Sequence, residues 1–336
     1  MWISTATRNL APIFALLSAV SAQSRYQPAK DPQSPPDISY TRYYTLDRFD
    51  RRITFYVSGD QAERLPLVVS ILGSGAYSNF IRIDGRTREA HRADREIFTG
   101  KAHLVIVEKP GVEFLEHHAN SNLTSQASAE FRREHTLERW AEAVSAALRA
   151  ARELPLCDPS RCLTIGSSEG GIVAARVAAM NRFVTHVASL AGDGPTQLFG
   201  LLESARDGHL YEDSPQDPDQ QTVRLLADVA AIESDPDNPD KYFLGHPYRR
   251  WSTFWSSSTM EELLQTKARV FIAQGTAYRN ASVAGSDVLY ATLLAKGRDV
   301  TLRRIAGADH AFQIADQPGR DGWRGIFEDA RNWFLQ

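Results

Sequence analysis

An α/β fold with a mostly parallel central sheet is what this chain of 336 residues predicts, on three observations. Short runs rich in β-branched and aliphatic residues alternate with helical patterns, as successive βαβ units require. Several of these runs are apolar throughout, which suits strands buried on both faces. The composition, 43% hydrophobic and 24% charged, is that of a globular protein with enough apolar mass for one large domain or two small ones.

The N-terminus carries Arg8 as its only charged side chain, then the apolar run "LAPIFALLSAV" from Leu10 to Val20, then small residues at Val20-Ser21-Ala22. This pattern reads as a secretory signal peptide, residues 1–22, cut after Ala22, which makes the mature protein secreted or periplasmic. The run falls well short of the roughly 20 residues a bilayer span needs, so a short anchor or buried helix is the lesser reading, and no membrane span remains after cleavage. Residues 23–37 are Pro-rich and polar and predict an extended, mobile leader. The folded domain is expected from Ile38 to Gln336.

"RRITFYVSG" (Arg51 to Gly59) reads as an outer strand. "LPLVVSIL" (Leu65 to Leu72), "AHLVIVE" (Ala102 to Glu108) and "CLTIG" (Cys162 to Gly166) read as buried parallel strands. "VTHVASLAG" (Val184 to Gly192), "RVFIAQG" (Arg269 to Gly275) and "VTLRRIAG" (Val300 to Gly307) continue the series. Between them, Thr136 to Glu153 predicts a helix because Leu137, Trp140, Ala141, Val144, Leu148 and Ala151 keep the spacing of an inward stripe. Further helices are expected after Glu169, Gly285 and Asp321.

About seventy residues separate the strand ending near Gly192 from the one starting near Arg269, far more than a crossover needs. An inserted element is therefore expected at about residues 197–265, with a helix over Thr222 to Glu233. Two readings stay open: a helical cap over a site, with Trp251, Phe254 and Trp255 as pocket aromatics, or a structural outgrowth that packs those aromatics onto the domain. The "DPDNPD" run within it lacks the Gly and Glu that a calcium loop places at its sixth and twelfth positions.

The only cysteines are Cys157 and Cys162. Export predicts that they pair as a disulfide closing a tight loop, with two buried thiols as the alternative. No further Cys or clustered His accompanies them, so zinc is not indicated. A formal charge of -3 and a pI near 6.3 give no broad basic field, which argues against nucleic acid as a partner.

The chemistry concentrates in three places. Gly166-Ser167-Ser168-Glu169-Gly170 fits G-x-S-x-G where a strand should give way to a helix, a setting that holds the Ser168 hydroxyl clear of the sheet. A serine hydroxyl needs a base to take its proton. Of nine histidines, His310 alone follows a late strand among small residues, whereas His103 and His186 lie inside strands and His117 and His118 lie in a polar loop. Thirdly, "LGSGAYS" directly follows a strand, so amides around Gly73, Ser74 and Gly75, with that of Glu169, offer an oxyanion hole. No Gly-Lys-Ser/Thr follows that turn, which excludes a P-loop.

With these residues in order, the chain resembles the α/β-hydrolase superfamily, most closely its dienelactone hydrolase and prolyl-oligopeptidase-like branch. The elements that carry the resemblance are the glycine-rich turn, "VIVEKPG", the G-x-S-x-G elbow, "QGTA" and "GADHAF". It implies an eight-stranded, mostly parallel sheet flanked by helices, Ser168 as nucleophile, His310 as base, and no metal or organic cofactor. It departs at the acid. The family follows the strand matching "RVFIAQG" with Gly-Thr-x-Asp, and here Tyr278 stands in place of the Asp. Tyr is neutral at pH 7 and cannot stabilise an imidazolium as a carboxylate does.

Asp193 in "LAGDGP" is the preferred substitute, because some lipases of the superfamily draw their acid from that position. Asp287 is the alternative acid, in the right loop but at the start of a helix, where its charge is favoured anyway. Asp309 adjoins His310, but neighbouring side chains at a turn seldom align for the required bond. The expected function is an exported serine hydrolase acting on a small-molecule ester or related acyl substrate. A catalytically impaired binding protein on the same fold, or a peptidase, is the alternative.

Overall fold

The computed structural model describes residues 26–35, 37–59, 62–117, 124–211, 217–277, 282–317, 319 and 321–336. The segment expected as a signal peptide, residues 1–22, and Tyr278 lie outside the described residues. Among them, no helix is long and apolar enough to cross a membrane.

Nine strands build the main sheet, in the order β1-β2-β3-β7-β4-β8-β9-β12-β13. In chain order these are β1 (Ala29–Lys30), β2 (Tyr40–Leu46), β3 (Arg52–Ser58), β4 (Leu65–Ile71), β7 (His103–Val107), β8 (Cys157–Ser167), β9 (His186–Leu190), β12 (Arg269–Gly275) and β13 (Val300–Ile305). Two small hairpins, β5 (Phe80–Ile83) with β6 (Arg86–Glu89) and β10 (Tyr242–Phe243) with β11 (His246–Pro247), stand apart from it. From β7 to β13 all pairings are parallel, and the three at the other edge are antiparallel. β7 and β9 are buried along their whole length, as continuous apolar runs with helices on both faces should be.

The helices are α1 (Arg92–Phe98), α2 (Ala129–Glu134), α3 (Leu137–Arg152), α4 (Glu169–Met180), α5 (Gln197–Arg206), α6 (Pro218–Glu233), α7 (Tyr248–Trp255), α8 (Thr259–Gln265), α9 (Val283–Ala295) and α10 (Gly322–Leu335). In α3 every residue of the expected stripe is buried. Thr136 caps it by accepting the Arg139 N–H at 3.2 Å. Apolar clusters lie on both faces of the sheet, one joining Trp140, Val144 and Leu148 to Val69 and Val173, the other joining Phe98, Phe327 and Phe334 to Leu104 and Phe271.

Three expectations are corrected. Part of the leader is anchored and not mobile: β1 pairs with β2, and buried Asp31 bonds Arg42 at 3.0 Å, which adds a ninth strand to the implied eight. The inserted element ends before α8, because Leu263 of that helix joins the main core and Met260 N–H donates to Gly194 at 3.2 Å. Finally, Cys157 and Cys162 do not form the expected disulfide. Both are free, buried thiols on one strand, flanking an irregularity in the β4–β8 pairing, and burial pushes them up to about 11 and about 12.

The inserted element has its own apolar cluster, in which Tyr211, Leu225, Phe243, Trp251 and Trp255 are buried. It is therefore a small cap with its own core, joined to the main domain by Arg250, which bonds Glu169 just past β8 at 2.7 Å, and by Gly200, which lies against Asp193 just past β9.

Candidate active site

All parallel strands end at the same edge, so the loops after β4, β8, β12 and β13 gather there, which is where open α/β sheets place their ligands. Ser168 sits between β8 and α4 with φ 55 and ψ -125. Positive φ is a strained conformation for a residue with a side chain and is held only where its surroundings enforce it. Here the enforcement is close packing. A Cβ on Gly166 would come within 2.0 Å of the Gly170 carbonyl oxygen, and one on Gly170 within 2.3 Å of that of Ile71. Both glycines of G-x-S-x-G are required for this reason. The Ser168 N–H donates to Leu190 O at 2.8 Å, tying the bend to β9.

The turn after β4 meets the serine directly: a Cβ built on Gly73 would lie 3.2 Å from Ser168 Cβ and 3.8 Å from its Oγ. Two consecutive residues beyond β7 hold that turn. Lys109 Nζ donates to the carbonyls of Gly73 at 2.6 Å and Gly75 at 2.7 Å. Glu108 accepts from Ser78 Oγ at 2.8 Å and from the Asn79 N–H and Nδ2 at 3.1 and 2.9 Å. In a trans peptide the C=O and the following N–H point opposite ways, so fixing Gly73 O on Lys109 turns the Ser74 N–H away from it. Burial pulls Lys109 down to about 8 although Glu169 opposes the shift, and its ammonium lies over the Trp140 ring at 4.6 Å. Burial pushes Glu108 up to about 7 against the bonds it accepts.

Glu169 begins α4, so its N–H has no partner within the helix. Its side chain is buried between His135 Nε2 and Arg250 of the cap, each at 2.7 Å. Burial alone would raise this carboxyl, but Arg250 and His135 outweigh it and hold it well below the usual range. Arg250 also donates to Gln197 at 2.7 Å, so one guanidinium links the elbow to both α5 and α7.

His310 lies in the loop after β13. The Asp309 carboxylate accepts the Ala311 and Gln313 N–H groups at 2.9 and 2.8 Å and shapes that loop. The stretch before Tyr278 supports it: Thr276 and Ala277 N–H donate to Ile305 and Ala308 at 3.0 and 2.9 Å. A Cβ on Gly275 would fall 2.4 Å from Ala308 O. "QGTA" thus carries the histidine loop. Burial lowers His310 below its ordinary value, and Asp309 pulls the other way.

Ser168 and His310 line one cavity of about 480 Å³ together with Gly73, Ser74, Tyr77 and Trp323. Ser168 and Ser74 also line a second cavity of about 800 Å³ under the cap. The expected acids lie elsewhere. Asp193 is buried beneath the cap, where a Cβ on Gly200 would stand 3.0 Å from its Oδ1. The charges acting on it are Arg250 and Glu169, and burial pushes it up to about 7. Asp287 is exposed and bonds Arg304 at 3.2 Å, across the α9–β13 surface. Gly75 is held through its carbonyl, which accepts from Lys109 Nζ at 2.7 Å.

Of the expected pocket aromatics, Trp251 lines the cap cavity. Phe254 does not; it is fully buried among His135, Trp140 and the main core. Trp255 is turned inward as well, donating to Glu233 at 2.7 Å. The aromatics of α7 thus divide, Trp251 and Trp255 packing within the cap cluster and Phe254 against the main core, so each of the two open readings holds in part. Lys109, His135 and Arg250 went unnoticed in the sequence. For Lys109 the signal was present, since two charges directly after a fully apolar parallel strand fall at the ligand-binding edge.

No protein-family model matches this sequence, and a search of curated proteins finds no match. Solved structures do match. Dipeptidyl peptidase 4 from Porphyromonas gingivalis is similar with a TM-score of 0.54 and 11% identity, over 89% of this chain and 36% of that one. The acylaminoacyl peptidase of Pyrococcus horikoshii gives 0.56 and 14%, over 89% and 42%. Est1E from Butyrivibrio proteoclasticus gives 0.55 and 17%, over 88% and 97%.

This chain has the α/β-hydrolase fold. It spans less than half the length of either peptidase. Within the α/β-hydrolase fold, the elbow, the glycine-rich turn and the histidine loop occupy one edge of the sheet in this protein, and the cap lies over them.

Proposed function

We propose that this protein is an exported serine hydrolase that cleaves an ester or related acyl bond. The observation that carries the reading is Ser168, held at φ 55 on a cavity it shares with His310 and the Ser74 turn. His310, neutral because burial lowers its pKa, takes the Ser168 proton as the oxygen attacks the acyl carbon. The negative oxygen rests on the amides of Ser74 and Glu169. His310 returns the proton to the leaving group, and water then hydrolyses the acyl-enzyme by the same route.

An esterase reading is favoured over a peptidase because the chain matches Est1E over nearly the whole of that protein, and the peptidases over less than half. Export rests on the Leu10 to Val20 segment and cleavage after Ala22. Tyr278, standing where the resembled family keeps an Asp, favours slow turnover by a Ser-His pair as the second reading.

Stopped-flow mixing with p-nitrophenyl acetate tests the mechanism. A burst of p-nitrophenol equal to the enzyme concentration, lost in Ser168→Ala and His310→Ala, is the expected result. Release at the same rate from the Ser168→Ala variant rules out an acyl-enzyme at this residue.

A further inference from the structure

We propose that the two cavities divide the substrate at Ser168, the cap cavity taking an uncharged, hydrogen-bonding acyl group and the His310 cavity taking the leaving group. The inference rests on the serine hydrolase reading and adds the substrate class. The two cavities have only Ser74 and Ser168 in common, the nucleophile and the turn that receives the oxyanion. A tetrahedral carbon bonded to Ser168 Oγ, with its oxygen on the amides of Ser74 and Glu169, has two substituents left to place, and there are two cavities to hold them.

Proton transfer assigns which is which. When the bond between the acyl carbon and the leaving oxygen breaks, its electron pair goes to that oxygen. The oxygen then takes from the imidazole the proton that Ser168 gave up. The leaving oxygen must therefore lie on the His310 side, and His310 lines only the smaller cavity. The acyl substituent is left to the larger one, which Glu169 also lines.

The linings specify the chemistry. Gln197, Ser204, His209, Tyr211, Arg224 and Asp228 bring hydrogen-bonding groups from the cap into the larger cavity. Its charged groups are already engaged: Glu169 pairs with Arg250, Asp228 accepts from Tyr211 Oη at 2.6 Å, and the Arg224 guanidinium lies over the Tyr211 ring at 3.9 Å. A plain alkyl chain there would strip water from these groups and return no hydrogen bonds. A hydroxylated or amide-bearing acyl group returns them. In the smaller cavity the carboxylates are also engaged, Asp94 with Ser70 Oγ at 2.7 Å and Asp321 with the Arg324 N–H at 3.0 Å. Tyr77, Trp323 and Phe327 remain to face a compact or aryl alcohol.

Two substitutions that leave the catalytic groups in place separate the halves. Ser204→Leu fills the cap cavity from α5, and Ala93→Leu fills the other from α1. Steady-state hydrolysis is measured with methyl 3-hydroxybutyrate, methyl butyrate and phenyl butyrate. The intact protein is expected to favour the hydroxylated acyl group over the alkyl one roughly tenfold in kcat/KM. Ser204→Leu should abolish that preference and leave the phenyl-to-methyl ratio unchanged. Ala93→Leu should lower the phenyl-to-methyl ratio roughly tenfold and leave the acyl preference unchanged. Swapped effects, or an intact protein that favours the alkyl chain, overturn the division while leaving the hydrolase reading standing. Failure to hydrolyse all three esters, together with failure of Ser168 to react with a fluorophosphonate, overturns both.

Discussion

Lys109 Nζ donates to the carbonyl oxygen of Gly73 at 2.6 Å, across the turn that faces the Ser168 side chain. The second bond, to Gly75, makes the ammonium a two-point clamp. Removing it frees both carbonyls to rotate, and with Gly73 O goes the direction of the Ser74 N–H. Lys109→Met should therefore lower kcat by roughly 100-fold, the scale of losing one oxyanion donor, with KM changed by less than about threefold. Steady-state kinetics check this. A variant that raises KM alone would show that the clamp orders substrate binding and not the transition state.

The cap is locked to the elbow by the buried pair of Glu169 and Arg250. Cutting Arg250 leaves the buried Glu169 with His135 as its remaining partner, which costs part of the roughly 3–5 kcal/mol that a fully unpaired buried charge would. Arg250→Met should lower the urea midpoint accordingly, whereas Glu169→Gln combined with Arg250→Met should recover part of the loss. If the single and double variants unfold at the midpoint of the parent, the pair holds nothing together.

Burial holds the His310 imidazole below its ordinary value, so the neutral base persists into mildly acid solution. The acid limb of kcat/KM against pH should have its midpoint below 6.5. A midpoint above 7 would mean that a carboxylate stabilises the imidazolium, restoring a third member to the site.

Asp193 is pushed up to about 7, so between its unfolded value near 4 and pH 7 the folded protein binds more protons than the unfolded chain. Stability from this group is present at low pH and is lost as pH rises through 7, by on the order of 4 kcal/mol. His186 and His246, lowered to about 4 and about 3, act in the opposite direction, so the difference between variant and parent is the quantity to measure. Asp193→Asn should gain in melting temperature relative to the parent as pH goes from 4 to 7. A flat difference would show that Asp193 ionises freely in the fold.

The strands and the elbow were legible because local sequence dictates them. "RVFIAQG" is a strand over its full length, from Arg269 to Gly275, since a run buried on both faces tolerates little but apolar residues. Ser168 was legible because G-x-S-x-G is a steric requirement between neighbours in the chain. The composition of the leader predicts mobility, by contrast, because the bond between Asp31 and Arg42 that anchors it is a contact composition does not encode. The same holds for Lys109, His135 and Arg250, whose partners lie 34 to 81 residues away. The position of Asp193 after a strand suggests an acid, but loop direction decides where a carboxylate points, and this one points under the cap.

Reaction with a fluorophosphonate, followed by peptide mass mapping, tests the central claim most directly. The account predicts one modification per chain, on Ser168, blocked in Ser168→Ala, much slower in His310→Ala, and retained in Asp287→Asn. An unmodified parent, or a label carried by any other residue, would contradict it.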